Sequence, residues 1–304
     1  MSAEDGDRLQ RFLFERFPVR GYLVHLDAAW RALIEHHEYP EVVRDTLGHA
    51  VAATLLLTAT LKFEGRLTLQ MQGPGPMHLL VVQATHRMAV RGVARYRGVP
   101  TESRLEALTG GGQLAVTIES PDRSASYQGI VPLSGDRLAE CFEDYFARSE
   151  QLPTRLWLAA TRERAAGLLL QRLPTAAAPG SAELAQRAAD GEEDWKRVLH
   201  LAGTVTDAEL ATLPARELLR RLFHEEDVRL FEPGPVFFQC SCSRDRVNGI
   251  LRSLGHADVH ELLAQQGAVE VRCEFCNRTW RYDAVDVAGL FATADTVSAP
   301  RALQ

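Results

Sequence analysis

Four of the five cysteines in this 304-residue chain form two tight pairs near its C-terminal end, Cys240-Ser-Cys242 and Cys273-Glu-Phe-Cys276. Each pair can present two sulfurs from a single turn, and residues 243–272 between them form a connection long enough to bring the turns together around one tetrahedral ion. Zn2+ is the expected ion, one per chain, with Cys240, Cys242, Cys273 and Cys276 as ligands. Ordinary core cysteines would have no reason to cluster two by two. Four thiolates around Zn2+ carry a formal charge of −2. Arg244, Arg246, Arg272 and Arg278 lie close enough in sequence to offset it, and a solvated surface explains them equally well.

Two uses of such a site follow from its chemistry. A structural zinc contributes an apparent ~10 to 16 kcal/mol, as much as the whole ~5 to 15 kcal/mol stability of a typical fold, so it can act as a staple. All-cysteine ligation also holds the sulfurs as thiolates, which oxidants attack, so oxidation and metal loss become one event and the site can act as a switch. Two sulfurs within a pair are close enough to form a disulfide once the metal is gone. Chemistry alone leaves both uses open.

Other reactive residue types point nowhere further. Cys141, alone in Ala139-Glu140-Cys141-Phe142-Glu143, reads as a small core residue. His256 and His260 lie between the pairs, but four sulfurs already complete a tetrahedron, so both are expected at the surface. Gly110-Gly111-Gly112 lacks the Lys-Ser/Thr that follows in a phosphate loop and reads as a turn. No catalytic residue is expected.

The elements that must position these groups belong to a globular chain. It is 46% hydrophobic, with 34 basic and 40 acidic residues and a net charge of −6, which gives no global attraction for nucleic acid or an anionic membrane. The N-terminus is acidic and no apolar leader follows it, so a cytoplasmic location is expected. The most apolar run, Ala50 to Leu61, is too short to span a bilayer and reads as a core helix.

Leu9, Phe12, Leu13 and Phe17 open the chain at helical spacing. Tyr22 to Val24 reads as a strand, and helices are expected around Trp30 and after Pro40. From Arg66 the period changes to two, with strands expected near 67–71, 79–82, 89–96, 114–119 and 127–132. Helices are expected again at Leu138 to Ser149, near Ala165 to Leu173, and from Glu192. The fold class is therefore α+β, with a largely antiparallel sheet in residues 1–180.

Pro174 to Ser181 has linker composition. Residues 181–231 read as a charge-dense helical region in which Thr206 and Glu209 have capping-box spacing. There Leu218, Leu219, Leu222 and Phe223 form an apolar stripe, most simply docked on the preceding domain. Residues 232–304 read as a small zinc-binding domain: two helices ending at Gly255 and Gly267, then a hairpin from Val269 and Val271 through the second cysteine turn to Thr279–Tyr282, as in a zinc ribbon. A unit of this size has a marginal hydrophobic core and needs a staple.

These residues resemble the redox-regulated heat-shock chaperone family of about 33 kDa in bacteria, over nearly the whole length. The resemblance rests on Leu56-Leu57-Thr58-Ala59-Thr60-Leu61-Lys62-Phe63, Gln72-Gly73-Pro74-Gly75-Pro76-Met77, Arg91-Gly92-Val93-Ala94-Arg95 and Tyr127-Gln128-Gly129. It continues through Glu143-Asp144-Tyr145-Phe146, Ser149 to Arg155 and Leu222-Phe223-His224-Glu225-Glu226 to the two cysteine pairs. It implies an ATP-independent holdase, monomeric and silent when reduced and zinc-bound. Hypochlorous acid, or peroxide with heat, would pair Cys240 with Cys242 and Cys273 with Cys276, release zinc and unfold the tail and the region about Ser181 to Phe231. The oxidised form would be a dimer holding unfolding clients until an ATP-driven foldase system takes over. Switch then outranks staple, and the Leu218–Phe223 stripe becomes a candidate client-binding or regulatory surface. Asn277 stands where such knuckles often have glycine; asparagine also tolerates a left-handed backbone, so zinc binding is expected to survive. Two other functions compete: a nucleic-acid-binding zinc ribbon using Arg278, Trp280, Arg281 and Tyr282, and a thiol-disulfide oxidoreductase using Cys273 and Cys276.

Overall fold

The computed structural model describes residues 6–120, 126–133, 135–174 and 182–292. Its first elements are strands β1 (Arg8–Phe14) and β2 (Val19–Leu26), helices α1 (Ala28–Ile34) and α2 (Glu41–Thr60), and strands β3 (Arg66–Gln72), β4 (Met77–Thr85) and β5 (Ala89–Tyr96). Then come α3 (Leu105–Thr109), β6 (Gln113–Glu119), β7 (Ser126–Pro132), α4 (Leu138–Tyr145) with a π-helical extension Phe146–Glu150, β8 (Thr154–Ala160) and β9 (Ala165–Arg172). Helices α5 (Ala182–Ala202), α6 (Asp207–Thr212) and α7 (Ala215–Phe223) follow, with short strands β10 (Val228–Leu230), β11 (Gly234–Pro235) and β12 (Phe237–Phe238). The last elements are α8 (Arg244–Leu254), α9 (His256–Gln266), β13 (Val269–Arg272), β14 (Thr279–Tyr282) and α10 (Ala284–Ala292).

The chain forms two compact units, Met1–Gln239 and Cys240–Gln304. In the first, one sheet has the order β10-β1-β2-β9-β8 with β11 also on β1, and a second has the order β12-β5-β4-β3-β6-β7. Among the described residues every pairing in them is antiparallel except β12 with β5. The fold is α+β, as the alternation of residue types predicts.

Helix α2 packs against β2, β8 and β9 of one sheet and β3, β4 and β5 of the other. Covered on both sides, it has no polar face from Ala50 to Thr58, and residues such as Leu47, Val51, Leu55 and Leu56 are fully buried. Thr54 and Thr58 are buried too, and their hydroxyls donate to the carbonyls of Ala50 (2.6 Å) and Thr54 (2.8 Å), so neither hydroxyl is left unpaired.

Two expected helices are strands. Residues 8–14 form β1, where Phe12 and Phe14 both point to the buried face; Gly21 on β2 makes room, since a Cβ there would lie 2.0 Å from Phe12 Cζ. Residues 165–172 form β9 instead of a helix, flanked by β2 and β8 with both faces buried. A continuous apolar run has the same composition in a buried helix and a central strand, and tertiary pairing decides between them. Strand β8, not anticipated from the sequence, supplies the other neighbour of β9. Helix α5 begins at Ala182, ten residues before the acidic Glu192–Asp194 start. The linker-composition residues 175–181 lie outside the described residues.

Helices α5 to α7 lie on the outer face of the first sheet, opposite α2. Trp195, Val198, Leu210, Leu218, Leu222 and Phe223 share a cluster with Phe12, Phe14, Phe17, Leu23, Leu168 and Leu170. The Thr206–Glu209 capping box forms as its spacing predicts, Thr206 accepting from the Glu209 N–H (3.2 Å).

In the second unit α8 ends at Gly255, and α9 at Gly267 in the left-handed conformation. Helix α9 has no side-chain cap. On α8 Val247 and Leu251 are buried, while Ile250 and Leu254 are half exposed. The core is small, with Val247, Leu251, Val259, Val269, Tyr282, Val287 and Leu290 as its buried members.

Candidate metal centre

The second cysteine pair is placed by a hairpin. β13 and β14 pair antiparallel in the register Val269↔Tyr282 to Arg272↔Thr279, and the turn closes with Cys273 N–H to Arg278 O (2.9 Å) and Asn277 N–H to Cys273 O (2.7 Å). Asn277 takes φ 53°, the left-handed conformation for which glycine or asparagine is suited. The first pair enters α8 through Ser243, whose hydroxyl caps the helix by accepting from the Arg246 N–H (3.2 Å). Arg246 reaches back to the Ser241 carbonyl (2.9 Å) and hydroxyl (2.6 Å), fixing the residue between Cys240 and Cys242. The helix-cap signal of Ser243 was readable in the sequence; the Arg246–Ser241 clamp carries no pattern that would announce it.

All four sulfurs lie within 4.8 Å of one another, with Cys240 Sγ to Cys273 Sγ at 3.6 Å and Cys242 Sγ to Cys276 Sγ at 3.4 Å. Tetrahedral ligation at a Zn–S distance of ~2.3 Å places sulfurs about 3.8 Å apart, whereas a disulfide needs ~2.05 Å. The cysteines are free thiols at separations that fit one ion. Their electrostatics fit the same group. Burial alone would raise the Cys240 thiol, but the Cys242 N–H and the neighbouring thiols outweigh it and bring its pKa down to about 7. Burial pushes Cys242 up, with the thiols of Cys276 and Cys240 adding to the effect, and burial likewise raises Cys276. One thiolate forms readily and further ones repel it, so four coexist only with a divalent cation among them.

Two of the nearby arginines are engaged with other side chains. Arg244 pairs with Asp286 (2.7 Å) and lies over the Tyr282 ring (4.7 Å), and Arg278 lies over Trp280 (5.4 Å). His256 and His260 are exposed on α9, and Cys141 is buried on α4. Gly110 and Gly111 form a left-handed turn after α3. Leu218, Leu219, Leu222 and Phe223 are all buried, and Phe223 meets the Phe14 ring edge-on at 5.0 Å. Burying four such side chains stabilises by about 6 to 12 kcal/mol in total. Between α2, α4 and β8 on one side and α5 and α6 on the other, a groove of about 840 Å3 stays open.

Three comparisons bear on this arrangement. Residues 7–283 match the family model described as Hsp33 protein. The chain is 49% identical over 294 residues to the 33 kDa chaperonin of Nitrosococcus oceani, covering 97% of this chain and 96% of that one. It is 47% identical over 294 residues to the 33 kDa chaperonin of Azotobacter vinelandii, covering 95% of each. The crystal structure of a 33 kDa chaperonin (heat shock protein 33 homolog) from Thermotoga maritima covers 95% of this chain and 99% of its own, with a TM-score of 0.79 at 20% identity, a likeness of fold.

Proposed function

This chain belongs to the Hsp33 family, and we propose that within it the protein is a redox-regulated, ATP-independent holdase whose reduced, zinc-bound form is inactive. Its chaperone function goes with the family; the control is read from the residues. Cys240, Cys242, Cys273 and Cys276 would hold Zn2+, which when bound neutralises the thiolates and ties the two turns together. What supports this most is the meeting of four sulfurs, from two turns far apart in sequence, within 4.8 Å.

Oxidation takes two electrons from each cysteine pair. With hypochlorous acid, one thiol sulfur takes the chlorine, the second displaces chloride, and the oxygen leaves as water. Pairing Cys240 with Cys242 and Cys273 with Cys276 leaves residues 243–272 unconstrained. Pairing across the turns would instead close a loop of more than thirty residues and keep them joined. Neighbouring disulfides therefore suit release. The second unit, with its small core, then unfolds, the region from 181 up to the first cysteine pair lifts from the preceding domain, and the Leu218–Phe223 stripe and the sheet beneath it become available to unfolding clients. An oxidised dimer, transfer to an ATP-dependent foldase and a cytoplasmic setting complete the proposal. No helix among the described residues is long and apolar enough to cross a membrane.

The test adds hypochlorous acid to the zinc-loaded protein and follows zinc release, disulfide mapping and suppression of client aggregation in one sample. Suppression of equal strength before and after oxidation would sink the reading.

A further inference from the structure

One continuous stretch, residues 227–236, closes the outer edge of β1 and ends just before the first cysteine pair. Glu15 donates its backbone N–H to Asp227 O (2.9 Å), Phe231 N–H donates to Arg11 O (3.0 Å), and Val236 N–H donates to Asp7 O (2.8 Å). The register runs antiparallel from Phe14↔Val228 to Arg8↔Pro235. Because the peptide groups of alternate residues face opposite sides of a strand, Arg11, Leu13 and Glu15 present theirs to this edge, while Gln10 and Phe12 present theirs to β2.

The segment is held by its backbone and by few side chains. Of residues 228–236 only Val236 is buried, with Val228 and Leu230 partly buried against the Phe12–Phe14 cluster. Phe231 lies against the guanidinium groups of Arg11 (5.2 Å) and Arg229 (5.4 Å). Where the segment breaks at Glu232-Pro233, the amide of Gln10 spans the gap and donates to Phe231 O (2.5 Å) and to Arg11 O (2.8 Å). Gln10 is itself buried, so its amide keeps a carbonyl of whatever chain lies along the edge. A strand with so little buried side chain belongs to the low-stability part of a fold, and an edge that grips by main chain makes few demands on sequence.

We propose that the outer edge of β1 is a strand-accepting site: when residues 227–236 leave, an extended segment of a non-native protein pairs with β1 in their place, antiparallel as they are. The chain seated there now is extended and gripped through its peptide groups, and extended peptide is what any unfolding protein offers whatever its sequence. Phe12 and Phe14 project from β1 onto the sheet face that α7 covers, so alternate apolar side chains of the incoming segment would find apolar neighbours once that helix is gone. The site rests on the holdase reading, since it requires the region before Cys240 to lose order on oxidation.

Residue-resolved amide exchange on the full chain tests it, with a permanently unfolded, carboxymethylated reporter protein as probe and aggregation suppression measured in parallel. The N–H groups of Leu13 and Glu15 are expected to be protected in the reduced protein and to exchange at least about tenfold faster after oxidation. They should regain protection when the reporter is added, with Gln10 and Phe12 protected throughout. Leu13 and Glu15 staying unprotected while the oxidised protein holds the reporter would overturn the edge and leave the holdase intact. Protection that returns without reporter and grows with protein concentration would assign the edge to a second copy of the chain and overturn the proposal. Failure of the oxidised protein to suppress aggregation would overturn both.

Discussion

Helix α2 and the cysteine hairpin reach a fixed conformation by opposite means. α2 is covered by two sheets, and nothing but apolar contact and its own hydrogen bonds holds it. Among the described residues, the unit that carries the hairpin has a core cluster of seven buried side chains and leaves Ile250, Leu254 and Val285 exposed. The first needs no ligand, and the second needs cross-linking chemistry. Under the proposed function, such a division would concentrate sensitivity to oxidants in the second unit and leave the two-sheet core around α2 folded.

The sharpest way to break that contrast is to replace Cys240, Cys242, Cys273 and Cys276 with serine. Loss of zinc should remove on the order of 10 kcal/mol from the second unit, leaving residues after 239 fully open to trypsin while the two-sheet domain before residue 175 resists. A protected tail in the zinc-free variant would show that its apolar core suffices. Next in size is Phe223→Ala. It empties a site between Phe12 and Phe14 and should cost about 3 to 5 kcal/mol, lowering the oxidant dose needed for activity without changing zinc stoichiometry.

A titration separates the two units differently. His49 lines the groove under α5 and α6, where burial lowers its pKa from 6.5 to about 4, with nearby Asp207 working against that shift. A histidine depressed in the folded state adds stability above its unfolded pKa and loses it as pH falls toward the folded value. The first unit should therefore lose roughly 2 to 3 kcal/mol between pH 6.5 and 4, and His49→Gln should flatten that part of the profile in chemical denaturation. The smallest effect is expected of Thr206→Ala, which removes the α6 cap and about 1 kcal/mol, read as faster amide exchange in α6 and α7 alone.

Legibility followed how local each instruction was. The cysteine pairs, the period-two strands β3 to β7, the apolar α2 and the Thr206 cap each declare themselves within a few residues, and the structure realises them; the strands do not form the simple meander their order suggests, since β6 returns to pair with β3 and not with β5. β1 and β9 do not. Leu9, Phe12 and Phe17 satisfy a helical period by chance, and Ala165-Ala166-Gly167-Leu168-Leu169-Leu170 is apolar in any period, so only their partners decide. Residues 234–238 read as part of the zinc-binding domain at 232–304, yet they pair with Arg8–Leu9 and Ala89–Val90 of the first unit. Such long-range partner choice leaves no local trace.

In the proposed cycle, the spacing of the cysteines would also set how the protein comes back. Within each pair the two sulfurs never drift far apart, however disordered the chain, so half of the site survives unfolding as a bidentate claw. Rebuilding the whole requires only that two claws meet across residues 243–272, a ring closure costing about 3 kcal/mol in chain entropy. Four sulfurs scattered singly along the same tail would face three such searches, so clustering in twos makes recovery after reduction a single encounter within one chain.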